Sequence, residues 1–298
     1  MKKLLTFKRQ DRLQQYVGFL LVLPWLFGFL AFKVFPFLMS LYLSFTQYNI
    51  ISPPVFIGMD NFTNIFRDPI FKQSARVSLL YVLMTVPARL LFSLFIAYLL
   101  TAKVKGIGFF RSVYYIPSLM GGSVAIAILW SYMFMSSGLI NQVLRAINLP
   151  AMPWLSNRGL ALFVISLLSV WQFGSQMVIF LAALKGVPSS LIEAAVVDGA
   201  SRYKIFWRVT VPYITPVFFF NLTMGMISAF QEFNSAFVIT SGGPMRGTYL
   251  ISIMIYNNAF AFLRMGYSSA LSWLLFLTIT TITLVFFASS KRWVHYQD

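Results

Sequence analysis

The residues best placed to do chemistry gather in one stretch, EAAVVDGASRYKIFWRVTVPYITP at 193–216. Glu193 and Asp198, two of only seven acidic residues in the chain, lie there beside Arg202, Lys204 and Arg208. Mixed charges on a short polar stretch suit helix capping and docking to a partner. Catalysis has little to work with. The one histidine, His295, sits in the tail, and there is no cysteine, so a Ser–His triad, a disulfide and a thiolate metal site have no raw material. A second set lies within apolar runs: Arg89; Trp171 and Gln172 with Ser175 and Gln176; and Asn221, Gly225, Ser228, Ala229 and Glu232. An aromatic face with hydrogen-bonding groups at membrane depth is what a sugar path requires.

The elements holding these residues follow from composition. The 298 residues are 59% hydrophobic and 10% charged, with a mean hydropathy of +0.78. A soluble domain carries about 25% charged residues, so part of this chain's solvent is lipid. Six runs approach the roughly 20 apolar residues that cross a bilayer, at about 16–45, 77–101, 113–135, 160–184, 213–237 and 266–290. The first is too long for a signal-peptide core; Pro24 and Pro36 are read as its kinks or ends. The expected fold is an all-α, polytopic membrane bundle forming one domain over 1–298.

The net charge of +16 does not point to nucleic acid, because the basic residues lie in short loops between apolar runs. With the N-terminus inside, fourteen of the 23 Lys and Arg fall on the cytoplasmic side and seven outside (Arg67, Lys72, Arg76, Arg145, Arg158, Arg246 and Arg264). That asymmetry orients the bundle, puts both termini in the cytoplasm and makes 185–212 a cytoplasmic insert. The outer run 248–262 is short for a span and reads as an interfacial helix or a re-entrant piece.

Within the insert, Ser190 and Glu193 have capping-box spacing, Gly199 supplies a left-handed turn, and Ser201 caps a second helix running to about Val211. Pro212 then marks entry into the next span. Two readings fit: a helix pair lying at the headgroups with Glu193 only capping, or a docking element whose alanine pair allows close approach of a partner.

Glu193-Ala194-Ala195, then Asp198-Gly199-Ala200, then Val211-Pro212 resembles the EAA loop of binding-protein-dependent ABC transporter permeases. FIGMDNF at 56–62, RSVYYIP at 111–117, GLINQVL at 138–144 and TSGGP at 240–244 are similar to further segments of the sugar-uptake members, the maltose/lactose/glycerol-phosphate type. The resemblance covers roughly 15–290 and departs from the pattern at Lys33 and Arg89. It implies a type I ABC importer permease of the bacterial cytoplasmic membrane, non-catalytic, with Glu193, Ala194, Ala195, Asp198, Gly199, Arg202 and Phe206 on a coupling helix. It implies a heteromeric complex with a second homologous permease, two copies of a cytoplasmic ATPase that holds ATP and Mg, and an extracytoplasmic solute-binding protein. The chain itself lacks a G-x-x-x-x-G-K-[ST] phosphate loop. The alternative function is an ion-coupled secondary transporter of a polar solute, for which only Glu232 offers a membrane carboxylate.

The substrate path is expected along Trp171, Gln172, Ser175, Gly225, Ser228, Ala229, Glu232 and Arg89. Trp171 and Ser175 share a helical face at i, i+4. The small residues of 225–229 fit a cavity or a helix-packing seam equally well on spacing alone; the resemblance favours the cavity. Arg89, twelve residues past Val77, is about 18 Å deep, where insertion costs about 2.5–3.5 kcal/mol. It either pairs with Glu232 or helix carbonyls, or holds an acidic sugar or a phosphate. Lys33 snorkels to the outer interface.

Overall fold

In the computed structural model, residues 18–102 and 104–295 are described. The basic flank Lys2, Lys3, Lys8, Arg9 and Arg12, the expected span start at Tyr16, and Lys103 lie outside them.

The helices are α1 (Gly18–Ser44), α2 (Asp60–Arg67), α3 (Pro69–Leu99), α4 (Ile107–Leu119), α5 (Val124–Phe134), α6 (Leu139–Ala146), α7 (Arg158–Trp171), α8 (Gly174–Lys185), α9 (Ser189–Val197), α10 (Arg202–Phe230), α11 (Asn234–Thr240), α12 (Ile251–Tyr256) and α13 (Met265–Ser290). A two-stranded antiparallel ribbon, β1 (Thr46–Gln47) and β2 (Val55–Phe56), follows α1. Among the described residues, five helical segments are long and apolar enough to cross a membrane: α1, α3, Val124–Ala146 (which carries α5 and α6), α10 and α13. The pair α7 and α8, bent by 45°, makes a sixth.

The chain divides into two compact units, Met1–Ile65 with Asn258–Trp273, and Phe66–Asn257 with Leu274–Asp298. In the first, none of the apolar window of α1 is buried within the protein, as for a helix clothed in lipid. Its end meets the start of α13: Phe37 packs on Trp273 at 4.7 Å, and the Trp273 indole donates to Ser40 Oγ at 3.1 Å. Asn61 ties the following turn by donating to the Ser44 and Thr46 carbonyls, both at 2.9 Å. Gly266 is required there, since a Cβ would stand 2.0 Å from the Thr46 carbonyl oxygen.

In the second unit α3 is the central element, packed by α7, α8, α10 and α12. Asp68 caps it, accepting from the Ile70 N–H at 2.8 Å, and Pro69 occupies the first turn. This start signal begins the helix eight residues before the expected span, so Lys72 and Arg76 stand on helix rather than loop. At 31 residues α3 is about 46 Å long, more than the roughly 30 Å hydrocarbon core. Part of it therefore extends beyond that core.

Three further boundaries differ from the sequence reading. The run 113–135 is not one helix: Met120–Ser123 separates α4 from α5, with Gly122 at φ +74°. The run 160–184 breaks at Gln172–Phe173, because Gly174 lets α8 approach the backbone of α4; a Cβ there would be 2.6 Å from the Tyr114 carbonyl oxygen. The run 213–237 ends at Phe230, and α11 is a separate helix after Gln231–Phe233. In the run 248–262, Leu250, Ile253 and Met254 are buried and the Ile251 N–H donates to Ser78 Oγ of α3 at 2.9 Å, while Phe260 and Phe262 are exposed.

Pro36 and Pro212 do not end their helices. Each follows a π-helical stretch, Leu30–Val34 and Phe206–Thr210. A helical proline lacks an N–H and clashes with the carbonyl four residues earlier. Those carbonyls belong to Phe32 and Arg208, inside the widened turns, so the clash is relieved and the helix continues.

Candidate functional site

A polar pocket lies among α3, α7, α8 and α10, lined by Thr85, Val86, Arg89, Ser169, Gln172, Gln176, Gly225, Ser228, Ala229 and Glu232, with a volume of about 60 Å³. The break between α7 and α8 makes it. Where the ladder is interrupted, the Gln172 and Phe173 carbonyls turn toward α3. Arg89 Nη2 donates to the Gln172 carbonyl at 2.7 Å, and Ser93 Oγ stands 3.3 Å from the Phe173 carbonyl and 2.6 Å from that of Arg89. Gln176 Nε2 donates to the Asn221 carbonyl at 3.3 Å, crossing to α10. Gly225 permits that crossing, since a Cβ would come within 3.0 Å of Gln176 Nε2.

Arg89 and Glu232 share the pocket without an ion pair between them. Glu232 instead turns to the first turn of α11, its Oε1 accepting from the Ser235 N–H at 2.9 Å, while its carbonyl accepts from Ser252 Oγ. Arg89 Nε, Thr85 Oγ1 and Asn221 Nδ2 are buried without a partner. The pocket thus holds one guanidinium whose hydrogen bond goes to a neutral carbonyl, together with the Glu232 carboxylate and uncharged donors and acceptors.

Arg89, Gln172, Gly225, Ser228, Ala229 and Glu232, all singled out by type and spacing, meet in this wall. Trp171 and Ser175 do not line it. Trp171 ends α7 with its ring 5.7 Å from that of Trp130, and Ser175 is exposed on α8; the 45° bend between them removes the face that i, i+4 spacing presumes. Gln176 lines the wall instead. Thr85, Val86 and Ser169 were not singled out, although Thr85 precedes Arg89 by four and Ser169 precedes Gln172 by three, the signature of a shared face.

The second feature is the segment from α9 to the start of α10. Pro188 takes the N-cap position of α9 with no side-chain cap. Its fixed φ starts the helix ahead of Ser190, so the capping box does not form and Glu193 is exposed. The helix closes with the Ala200 N–H bonded to the Ala195 carbonyl at 2.9 Å and Gly199 at φ +75°, a Schellman-type end. Ser201 caps α10, accepting from the Lys204 N–H at 3.4 Å. Glu193, Ala194, Asp198, Gly199 and Arg202 are exposed and Ala195 is half-buried. Val197 is 86% exposed and Tyr203 76%. Phe206 anchors the segment, its ring 4.8 Å from that of Tyr98 at the end of α3, and Tyr213 Oη donates to the Gly186 carbonyl at 3.0 Å. Because α10 runs unbroken from Arg202 to Phe230, the exposed turn and the pocket wall belong to one rod of about 42 Å.

Residues 67–298 match the family model of binding-protein-dependent transport system inner membrane components. The chain is 45% identical over 294 residues to the probable ABC transporter permease protein YesP of Bacillus subtilis (strain 168), covering 97% of this chain and 95% of that protein. It is 29% identical over 268 residues to the probable starch degradation products transport system permease protein AmyD of Thermoanaerobacterium thermosulfurigenes, covering 89% and 91%. Its fold is similar to that of a chain in a bacterial ABC transporter involved in the import of the acidic polysaccharide alginate, with a TM-score of 0.84 at 21% identity, over 95% of this chain and 98% of the other.

Proposed function

Given that the chain belongs to the family of binding-protein-dependent transport system inner membrane components, multi-pass transport subunits rather than enzymes, we propose that it passes a sugar or oligosaccharide across the membrane as a single permease domain over 1–298. Membership leaves the ion-driven alternative without support. The observation that carries the reading is mechanical: a charged, apolar-tipped turn at α9–α10 stands exposed, and one unbroken helix joins it to a polar pocket within the spans. Val197 and Tyr203 on such a turn need a partner surface, and the alanines of α9 let that surface come close.

In this reading the partners are a second homologous permease, two copies of a cytoplasmic ATPase with ATP and Mg bound there, and an extracytoplasmic solute-binding protein. Both termini and the α9–α10 turn face the cytoplasm. Closure of the ATPases draws the turn inward, α10 moves as a rod, and the wall formed by Gly225, Ser228, Ala229 and Glu232 shifts against Arg89 and Gln172. Trp171 and Ser175 stand along the wider route rather than in the pocket. The sugar class follows the name of the starch-products relative; the hydrogen-bonding side chains of the pocket wall fit it.

The test is ATPase activity of the reconstituted importer. Glu193→Lys and Gly199→Pro should leave the permease inserted and assembled with its partner permease, and should abolish stimulation of the ATPase by loaded binding protein. Normal stimulation in both variants would leave α9 with no role in coupling.

A further inference from the structure

We propose that the pocket around Arg89 is a carboxylate subsite, so that the carbohydrate this subunit passes carries an acidic group, as a uronate does. The inference rests on the carbohydrate-permease reading and adds the charge of the cargo.

Arg89 keeps its charge at any working pH. It stands within a span, where a cation needs a counter-charge or water. Its Nη2 is held by the Gln172 carbonyl, which fixes the guanidinium without neutralising it. Its Nε is buried and without a partner. Glu232, the carboxylate that shares the pocket, is turned to the Ser235 N–H and makes no ion pair with the guanidinium. The site therefore presents an oriented cation that makes no ion pair, with the Glu232 carboxylate of the same wall acting on it only through space.

Size and chemistry narrow the occupant. At about 60 Å³, where ~10–15 Å³ suffices for one ordered water, the pocket has room for several waters or for a carboxylate. Gly225 and Ala229 keep that space open, and Gln172, Gln176 and Ser228 offer the neutral bonds a carboxylate accepts beside a guanidinium fork. Glu232 in the same wall opposes any anion, and a phosphate, larger and nearly doubly charged, meets about twice the repulsion of a carboxylate.

The experiment uses the complete importer in nanodiscs without its binding protein, so that only the transmembrane subunits select. Thermal stability is followed against sodium glucuronate, glucose and glucose 6-phosphate, with sodium chloride at matched ionic strength. Glucuronate should raise the melting temperature of the wild type, and glucose should not. Arg89→Gln should lower the apparent affinity for glucuronate about tenfold or more, as for lost hydrogen bonds to a charged group; Arg89→Lys should keep part of it. If Arg89→Gln fails to assemble, Gly225→Leu, which fills the pocket and retains the cation, should abolish the glucuronate shift. The proposal is overturned by no glucuronate shift, by equal shifts with glucose, by a larger shift with glucose 6-phosphate, or by a shift that survives both substitutions. None of these outcomes touches the coupling test with Glu193→Lys and Gly199→Pro, which addresses the role of α9.

Discussion

Arg89 and Glu232 have the types and places of a buried ion pair, yet each is held by a neutral backbone group. That arrangement predicts an unusual mutational pattern. Removing one member of a buried pair strands the other, at about 3–5 kcal/mol, and the double mutant recovers stability. Here Arg89→Gln and Glu232→Gln should lose little stability, and the double mutant should show no recovery in melting temperature. Recovery in the double would mean the two charges do pair in the membrane. Glu232→Ala differs from Glu232→Gln because it removes the oxygen that accepts from the Ser235 N–H; a lost acceptor at a helix start costs about 0.5–2 kcal/mol. Much of this wall was legible from residue type, since a charged or amide side chain within an apolar run is costly unless something meets it. Which partner meets it was not legible, because the Gln172 carbonyl becomes available only where α7 stops.

At the scale of elements, two glycines separate packing from cavity. Gly174→Ala puts a methyl 2.6 Å from the Tyr114 carbonyl oxygen and 2.9 Å from Tyr115 Cα. Backbone cannot yield there, so α4 and α8 must separate, at about 1–3 kcal/mol for such overpacking. Gly225→Ala meets only the flexible end of Gln176 at 3.0 Å and should lower the melting temperature less. A larger loss at Gly225 than at Gly174 would show that 225–229 is a tight packing seam. Gly199 behaves differently again: nothing lies within 4 Å of its added methyl, but its φ is +75°. Gly199→Ala should cost about 1–2 kcal/mol through the left-handed conformation alone, and it should weaken ATPase stimulation less than Gly199→Pro, whose ring forbids that φ. The sequence marked the Gly199 turn correctly because glycine after a short helix has a local meaning. It misplaced the start of α9 because Pro188 and Ser190 both carry N-terminal signals, and the proline prevailed.

For the molecule as a whole, sidedness can be checked directly, since the chain has no cysteine of its own. Val197→Cys and Lys291→Cys, both at exposed positions, should react with an impermeant thiol reagent only from the cytoplasmic side, and Ser137→Cys, also exposed, only from outside. Reaction of Val197→Cys from outside would overturn the orientation drawn from the Lys and Arg distribution. Ser290 is unsuitable for this purpose because it is buried, its hydroxyl bonded to the Phe287 carbonyl at 2.8 Å.

Composition and apolar run length by themselves determined that this is a helical, multi-pass membrane chain, because each lipid-crossing segment must satisfy its backbone internally whatever its neighbours do. The motif at 193–202 likewise marked an exposed turn, because its glycine and its cap act on adjacent residues. Tertiary structure decided where the spans break. The bend at Gln172–Phe173 depends on close backbone approach at Gly174, which has no local signature, whereas the split at Met120–Ser123 carries a positive-φ glycine, Gly122. It also decided that Pro36 and Pro212 continue their helices, since widened turns upstream absorb the clash. The pocket is a product of those breaks: only once α7 and α8 bend apart does Arg89 find a carbonyl, and only then do Gln176 and Gly225 meet.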